Sequence, residues 1–194
     1  MIFYIMGKSA SGKDTLYKKI LENNKNLKTI PIYTTRPKRD GEKEGQEYHF
    51  VSEKYLEEHK NQIIEKRVYN TVFGPWYYAT LDDGNINEND NYLIIGTLES
   101  YKAVKKYYGE KNIFPIYLEV SDAVRRERAE RRESLQKTPK YDEMKRRLRA
   151  DDIDFSEEKI IDAGITKRYD ADNFDNCTAL IMSDIDKNIS HKIG

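Results

Sequence analysis

Apolar residues follow two rhythms along this chain. Ile2 to Met6 form an unbroken apolar run closed by Gly7, the pattern of a strand buried on both faces. Beyond it Leu16, Ile20 and Leu21 recur at helical spacing, so an amphipathic helix opens near Asp14. Residues 29–35, 91–97 and 113–120 predict further strands, and 91–97, the most apolar, is expected to be central. Helical patterns cover 53–66, 98–109 (closed by Gly109), 121–132 (with Ser121 as N-cap) and 140–160. The aromatic stretch 67–81 is β-prone, with a turn at Gly74-Pro75. Residues 36–50 form a charged loop ending in a short strand. The stretch 161–194 is irregular, and ALIMSDI is its best strand.

Strands that alternate with helices give an α/β fold: a parallel sheet flanked by helices, of the phosphate-loop NTPase type. A mixed, β-rich inserted lobe interrupts it over about residues 34–80.

Composition narrows the class. The 194 residues suit one domain. Lys+Arg and Asp+Glu both number 34, so no global basic field favours nucleic acid as a partner. Cys177 is the one cysteine, which excludes a disulfide framework and a cysteine-rich metal site. His49, His59 and His191 show no metal-ligand spacing. The first apolar run is too short for a signal sequence or a membrane span, so the expectation is a cytoplasmic protein with no membrane partner.

The stretch GKSASGKDT, residues 7–15, carries the first chemistry. Gly7, Gly12 and Lys13 satisfy G-x-x-x-x-G-K, between a strand and a helix. Backbone N–H groups of such a loop point at phosphate oxygens, the helix N-terminus adds positive potential, and Lys13 supplies a point charge. Gly7, Ser9, Ala10, Ser11, Gly12, Lys13, Asp14 and Thr15 are the candidate ATP-binding residues. Asp14 replaces the usual Ser or Thr. It is a candidate ligand for the Mg²⁺ that accompanies ATP, or else simply a carboxylate favoured at a helix start.

In TTRPKRDGEKEGQEYHFVS, residues 34–52, Arg36 and Arg39 with Tyr48 make a clamp suited to a phosphate monoester. Here the chain resembles the guanylate kinases, whose pattern TTR-P-x-R-x-GE-x-x-G-x-x-Y-x-FVS it keeps in full. The resemblance implies a kinase that moves the γ-phosphoryl of ATP to GMP. Thr35, Arg36, Arg39, Tyr48, Glu65, Tyr78 and Thr80 would bind GMP, Glu65 and Thr80 facing its base. It divides the chain into a core (1–33, 81–124 and 150–194), a monophosphate lobe (34–80) and a helical lid (125–149). In the basic helices, Arg128 would meet ATP, while Lys13, Arg36, Arg39, Arg132 and Arg147 would carry the transferred charge.

The chain also departs from that pattern. Ala79 replaces a glycine, the segment after Glu65 is about three residues longer, Ile32 replaces a small polar residue, and Ile95 and Thr97 replace two aspartates. Two rival readings therefore stay open: a kinase of the same fold with another acceptor, and a non-catalytic module that binds phosphopeptides.

Overall fold

The computed structural model describes residues 1–30, 32–38, 42–45, 48–71, 74–84, 86–87 and 89–190. In chain order the elements are β1 (Ile2–Gly7), α1 (Lys13–Asn23), β2 (Leu27–Thr29), β3 (Ile32–Thr34), β4 (Tyr48–Phe50), α2 (Glu53–Glu58), β5 (Ile63–Thr71) and β6 (Gly74–Leu81). They continue with β7 (Asn91–Ile95), α3 (Leu98–Tyr108), β8 (Ile113–Glu119), α4 (Asp122–Ser134), α5 (Tyr141–Asp154), α6 (Glu157–Asp162), β9 (Arg168–Asp170) and α7 (Phe174–Ser190).

Five strands form a parallel sheet in the order β2-β7-β1-β8-β9. The alternation of β1 decides what covers each face. Ile2, Tyr4 and Met6 pack with Leu98, Tyr101 and Val104 of α3 and Ile160 of α6. Phe3 and Ile5 pack with Leu16 and Ile20 of α1 and with Cys177, Ile181 and Ile185 of α7. Each fully buried apolar side chain contributes about 1.5–3 kcal/mol, so a strand buried on both faces anchors the whole sheet. The second sheet, β4-β3-β6-β5, is mixed: β3 runs parallel to β4 and antiparallel to β6. It closes over a smaller core of Tyr33, Leu56, Ala79 and Leu81. Among the described residues no helix is long and apolar enough to cross a membrane.

Five sequence expectations change. The 29–35 run is two short strands in different sheets, β2 against β7 and β3 against β6. The helix expected over 53–66 stops at Glu58, and Ile63 onward is β5, because β6 offers a full antiparallel partner. Gly74 and Pro75, expected to form a turn, belong to β6, where they pair with Thr71 and Asn70. The 140–160 helix breaks after α5, which lets Phe155 stack on Tyr117. The tail is ordered as β9 and α7. ALIMSDI is helical, and Cys177, Thr178, Ile181 and Ile185 recur on one buried face with helical spacing.

The turn from β7 into α3 is built tightly around Gly96. The Tyr4 hydroxyl bonds Ser100 Oγ at 2.6 Å, and a Cβ on Gly96 would lie 2.1 Å from that phenol oxygen. Gly96→Ala is expected to destabilise the fold by about 1–3 kcal/mol or more, read as a lower midpoint in urea unfolding.

Candidate active site

The loop between β1 and α1 sits where the most buried strand meets a helix N-terminus. Gly12 holds φ 96°, and a Cβ there would lie 2.9 Å from the Phe174 ring. Ala10 also takes a left-handed φ of 63°, an uncommon state for a residue with a side chain, and its methyl packs against Ala129, Met144 and Leu148 of α4 and α5. The Gly12 carbonyl accepts from Leu16 N at 2.9 Å, and this bond starts α1. Lys13 Nζ donates to Lys8 O at 2.8 Å. Asp14 and Thr15 are exposed on the first turn, while Ser11 is fully buried.

Cations of α4 and α5 act on this loop electrostatically. Burial lowers the Lys13 pKa from its ordinary 10.5 to about 8. Arg147 and Arg132 push it down further, and Asp14 and Asp151 oppose them. Lys13 therefore lies within the electrostatic influence of both Arg132 and Arg147. Arg128 is engaged differently: its Nη2 donates to the carbonyls of Ala171 and Asp172 at 2.9 and 3.2 Å, tying α4 to the segment before α7.

Carboxylates missed in the sequence hold the helices to the loop. Asp151 Oδ2 accepts the Ser9 N–H at 2.7 Å. Asp152 Oδ1 accepts from Lys8 Nζ at 2.8 Å and from Arg125 Nη2 at 2.6 Å. Arg125 is buried and also meets Asp122 at 3.0 Å. The available signal was the Asp-Asp pair that follows the basic run.

The second sheet assembles most of the expected clamp. Arg36 is buried. Its Nε donates to Tyr78 Oη at 3.2 Å, and its terminal nitrogens grip Glu42 at 3.1 and 2.7 Å. Its guanidinium lies 5.3 Å from the Tyr48 ring centre and 5.6 Å from that of Phe50. Tyr48 and Tyr78 meet edge to face at 5.8 Å. Burial first, then Tyr78, raises the pKa of the Tyr48 hydroxyl, and Asp14 adds to the rise from the start of α1. The phosphate loop and the Arg36 pocket are thus electrostatic neighbours. Arg39 lies outside the described residues. Thr35 has a structural duty, since its hydroxyl accepts from Tyr77 N at 2.9 Å.

Register places the remaining side chains. Glu65 pairs with Thr80 and Arg67 with Tyr78 across β5 and β6, so the four share one face. The buried Glu65 accepts from Thr80 Oγ1 at 2.7 Å. Arg67, two residues on, grips the same carboxylate at 3.0 and 3.2 Å. The sequence reading placed Glu65 on a helix, where i and i+2 do not face each other, and so passed over Arg67.

A two-sheet α/β architecture, with a glycine loop at the end of a parallel strand and a cationic pocket on the second sheet, defines the class of phosphate-loop α/β proteins. The chain belongs to the guanylate kinase family: the family's sequence model, described as Guanylate kinase, matches residues 2–150. It is 41% identical over 85 residues to the guanylate kinase of Neisseria gonorrhoeae, a match covering 43% of this chain and 40% of that protein. It is 30% identical over 145 residues to that of Prochlorococcus marinus, covering 70% of this chain and 77% of that protein. The chain thus spans about two fifths of the length of the Neisseria relatives and more of others. The crystal structure of guanylate kinase from Anaplasma phagocytophilum superimposes with a TM-score of 0.60 at 19% identity, over 95% of this chain and 85% of that one, and shows the shared fold.

The low Lys13 pKa makes its charge a burden on the folded state. Below about pH 8 the folded chain carries that cost in full, and the cost fades as pH rises towards 10.5, where the unfolded chain also loses the proton. Lys13→Met is therefore expected to stabilise the nucleotide-free protein by about 1–3 kcal/mol at pH 7, with a smaller gain at pH 9.5, measured by urea unfolding of both proteins at each pH.

Proposed function

We propose that this protein is an ATP-dependent nucleoside monophosphate kinase that transfers the γ-phosphoryl of ATP to GMP. The observation that carries the reading is the packing of α4 and α5 on the loop of residues 7–15, through Ala10 and through Asp151 on the Ser9 amide, which brings Arg132 and Arg147 to act on Lys13. Membership of the guanylate kinase family supports the same reaction.

In this reading the loop amides and Lys13 cradle the β- and γ-phosphates of ATP. Arg36, Tyr48 and Tyr78 hold the acceptor's phosphate, a role the family pattern also gives to Arg39, and Glu42 orients the Arg36 fork. An acceptor phosphate oxygen attacks the γ-phosphorus, the bond to the β-phosphate oxygen breaks, and ADP leaves. Charge spreads over the γ-oxygens as the bond breaks, and Lys13, Arg132 and Arg147 stabilise it. The lid over 125–149 excludes water, so that the acceptor rather than hydrolysis takes the phosphoryl group. The contact of Ala10 with Met144 and Leu148 couples that lid to the loop.

The residues present fit a magnesium ion carried by the nucleotide. Among the described residues no three His, Cys, Asp or Glu side chains gather to hold a metal alone. Asp14, exposed at the start of α1, suits a single carboxylate sharing the ion with phosphate oxygens, directly or through water. Mg²⁺ bound there supplies neutralisation of phosphate charge.

An ADP-release assay with GMP, dGMP, AMP, CMP and UMP tests the reading. Turnover with GMP is expected, and Lys13→Met is expected to reduce kcat/KM by about 10² or more. Absence of both ATP binding and turnover leaves a non-catalytic module instead. Asp14→Ser is expected to change the Mg²⁺ concentration giving half-maximal rate; an unchanged Mg²⁺ profile removes Asp14 from the metal site.

A further inference from the structure

The acceptor side holds an ion pair that phosphoryl transfer does not require. Glu65 and Arg67 are both enclosed, with 6% and 10% of their side chains exposed. Glu65 Oε1 accepts from Thr80 Oγ1 at 2.7 Å and Arg67 Nη2 at 3.2 Å, and Oε2 accepts from Arg67 Nε at 3.0 Å. Arg67 Nη1 also reaches Thr97 Oγ1, the N-cap of α3, at 3.4 Å.

Counting donors and acceptors shows what this pair does to base recognition. A carboxylate has about four lone-pair sites, and three of these are taken. The N1–H and N2–H₂ edge of guanine presents two parallel donors, which need one free acceptor on each carboxylate oxygen. Oε1 has none left while Arg67 stays in place. The guanidinium has five N–H donors, of which three are used, leaving one on each terminal nitrogen. Two such donors match a carbonyl oxygen beside an unprotonated ring nitrogen, the pair that arginine reads on guanine as O6 and N7. Cytosine shows the same pair as O2 and N3. Adenine and uracil do not.

We propose that Arg67 is the specificity-determining residue of the acceptor pocket. It cancels Glu65 as a reader of the guanine N1–N2 edge and reads a carbonyl and ring-nitrogen acceptor pair instead. This rests on the reading of the second sheet as the acceptor lobe, and it extends the substrate class from GMP to CMP. The loss of an acidic residue at Thr97 agrees with it, because a carboxylate there would compete with the base for the same guanidinium. Burial works against the Arg67 charge, and the Glu65 carboxylate more than offsets it, so the arginine stays a donor at every working pH.

The test is kcat/KM for GMP, 7-deaza-GMP, CMP, UMP and AMP, with wild type and Arg67→Gln, each checked for folding by thermal unfolding. Wild type is expected to use GMP and CMP well ahead of UMP and AMP, and to lose about ten- to a hundredfold on 7-deaza-GMP, which lacks the N7 acceptor. In Arg67→Gln the GMP to 7-deaza-GMP ratio is expected to fall to near one, and CMP use to drop by about tenfold or more. The wild-type comparison stands even if the variant does not fold. Equal use of GMP and 7-deaza-GMP by wild type, with CMP refused, overturns the proposal while leaving the kinase reading intact. No turnover with any acceptor overturns both.

Discussion

Like charge held together at the end of a buried strand is the constraint on which this molecule depends. Arg147 and Arg132 act on Lys13 at the start of α1, and burial makes the Lys13 cation costly. Such an arrangement survives folding only if carboxylates counter it. Asp151 on the Ser9 amide and Asp152 between Lys8 and Arg125 supply that counterweight. The same bonds set where α5 sits and where Arg147 is presented. Phosphate, with far more negative charge, is the natural competitor for these positions.

Hairpin register plays the matching part on the second sheet. Because side chains alternate along a strand, the pairing of Glu65 with Thr80 commits Arg67 and Tyr78 to the same face. A slip of one residue would bury Lys66 and Ala79 there instead. Arg36 joins this face through the Tyr78 hydroxyl, so the Arg36 pocket and the Glu65, Arg67 and Thr80 group are one continuous surface. The backbone of Thr35 and its hydroxyl lock β3 to β6 at Tyr77, which keeps Arg36 in place.

The tail shows how much the core needs residues beyond the family's matched segment. β9 extends the parallel sheet beside β8, and α7 lays Cys177, Ile181 and Ile185 over Phe3 and Ile5. Phe174, at the start of α7, fills the space that a side chain on Gly12 would occupy. The tail thereby supports the glycine loop directly, and Arg128 ties α4 to the same segment.

Strand β1, the glycine loop, α1 and the Thr-Thr-Arg segment were legible in the amino-acid order because each is a local pattern: an apolar run, a glycine spacing, a helical period. The alternation of strands and helices likewise specified a parallel sheet with an inserted lobe. What the order alone left open depends on partners distant in sequence. Residues 63–66 carry a helical pattern, yet they join β5 because β6 satisfies their backbone bonds. ALIMSDI is apolar enough for a strand, yet it is helical because only a 3.6-residue period puts Cys177, Ile181 and Ile185 on the sheet together. The ion pair of Glu65 and Arg67, and the hold of Asp151 on Ser9, exist only once those elements pack, since hydrogen bonds between side chains need a geometry that tertiary structure alone supplies.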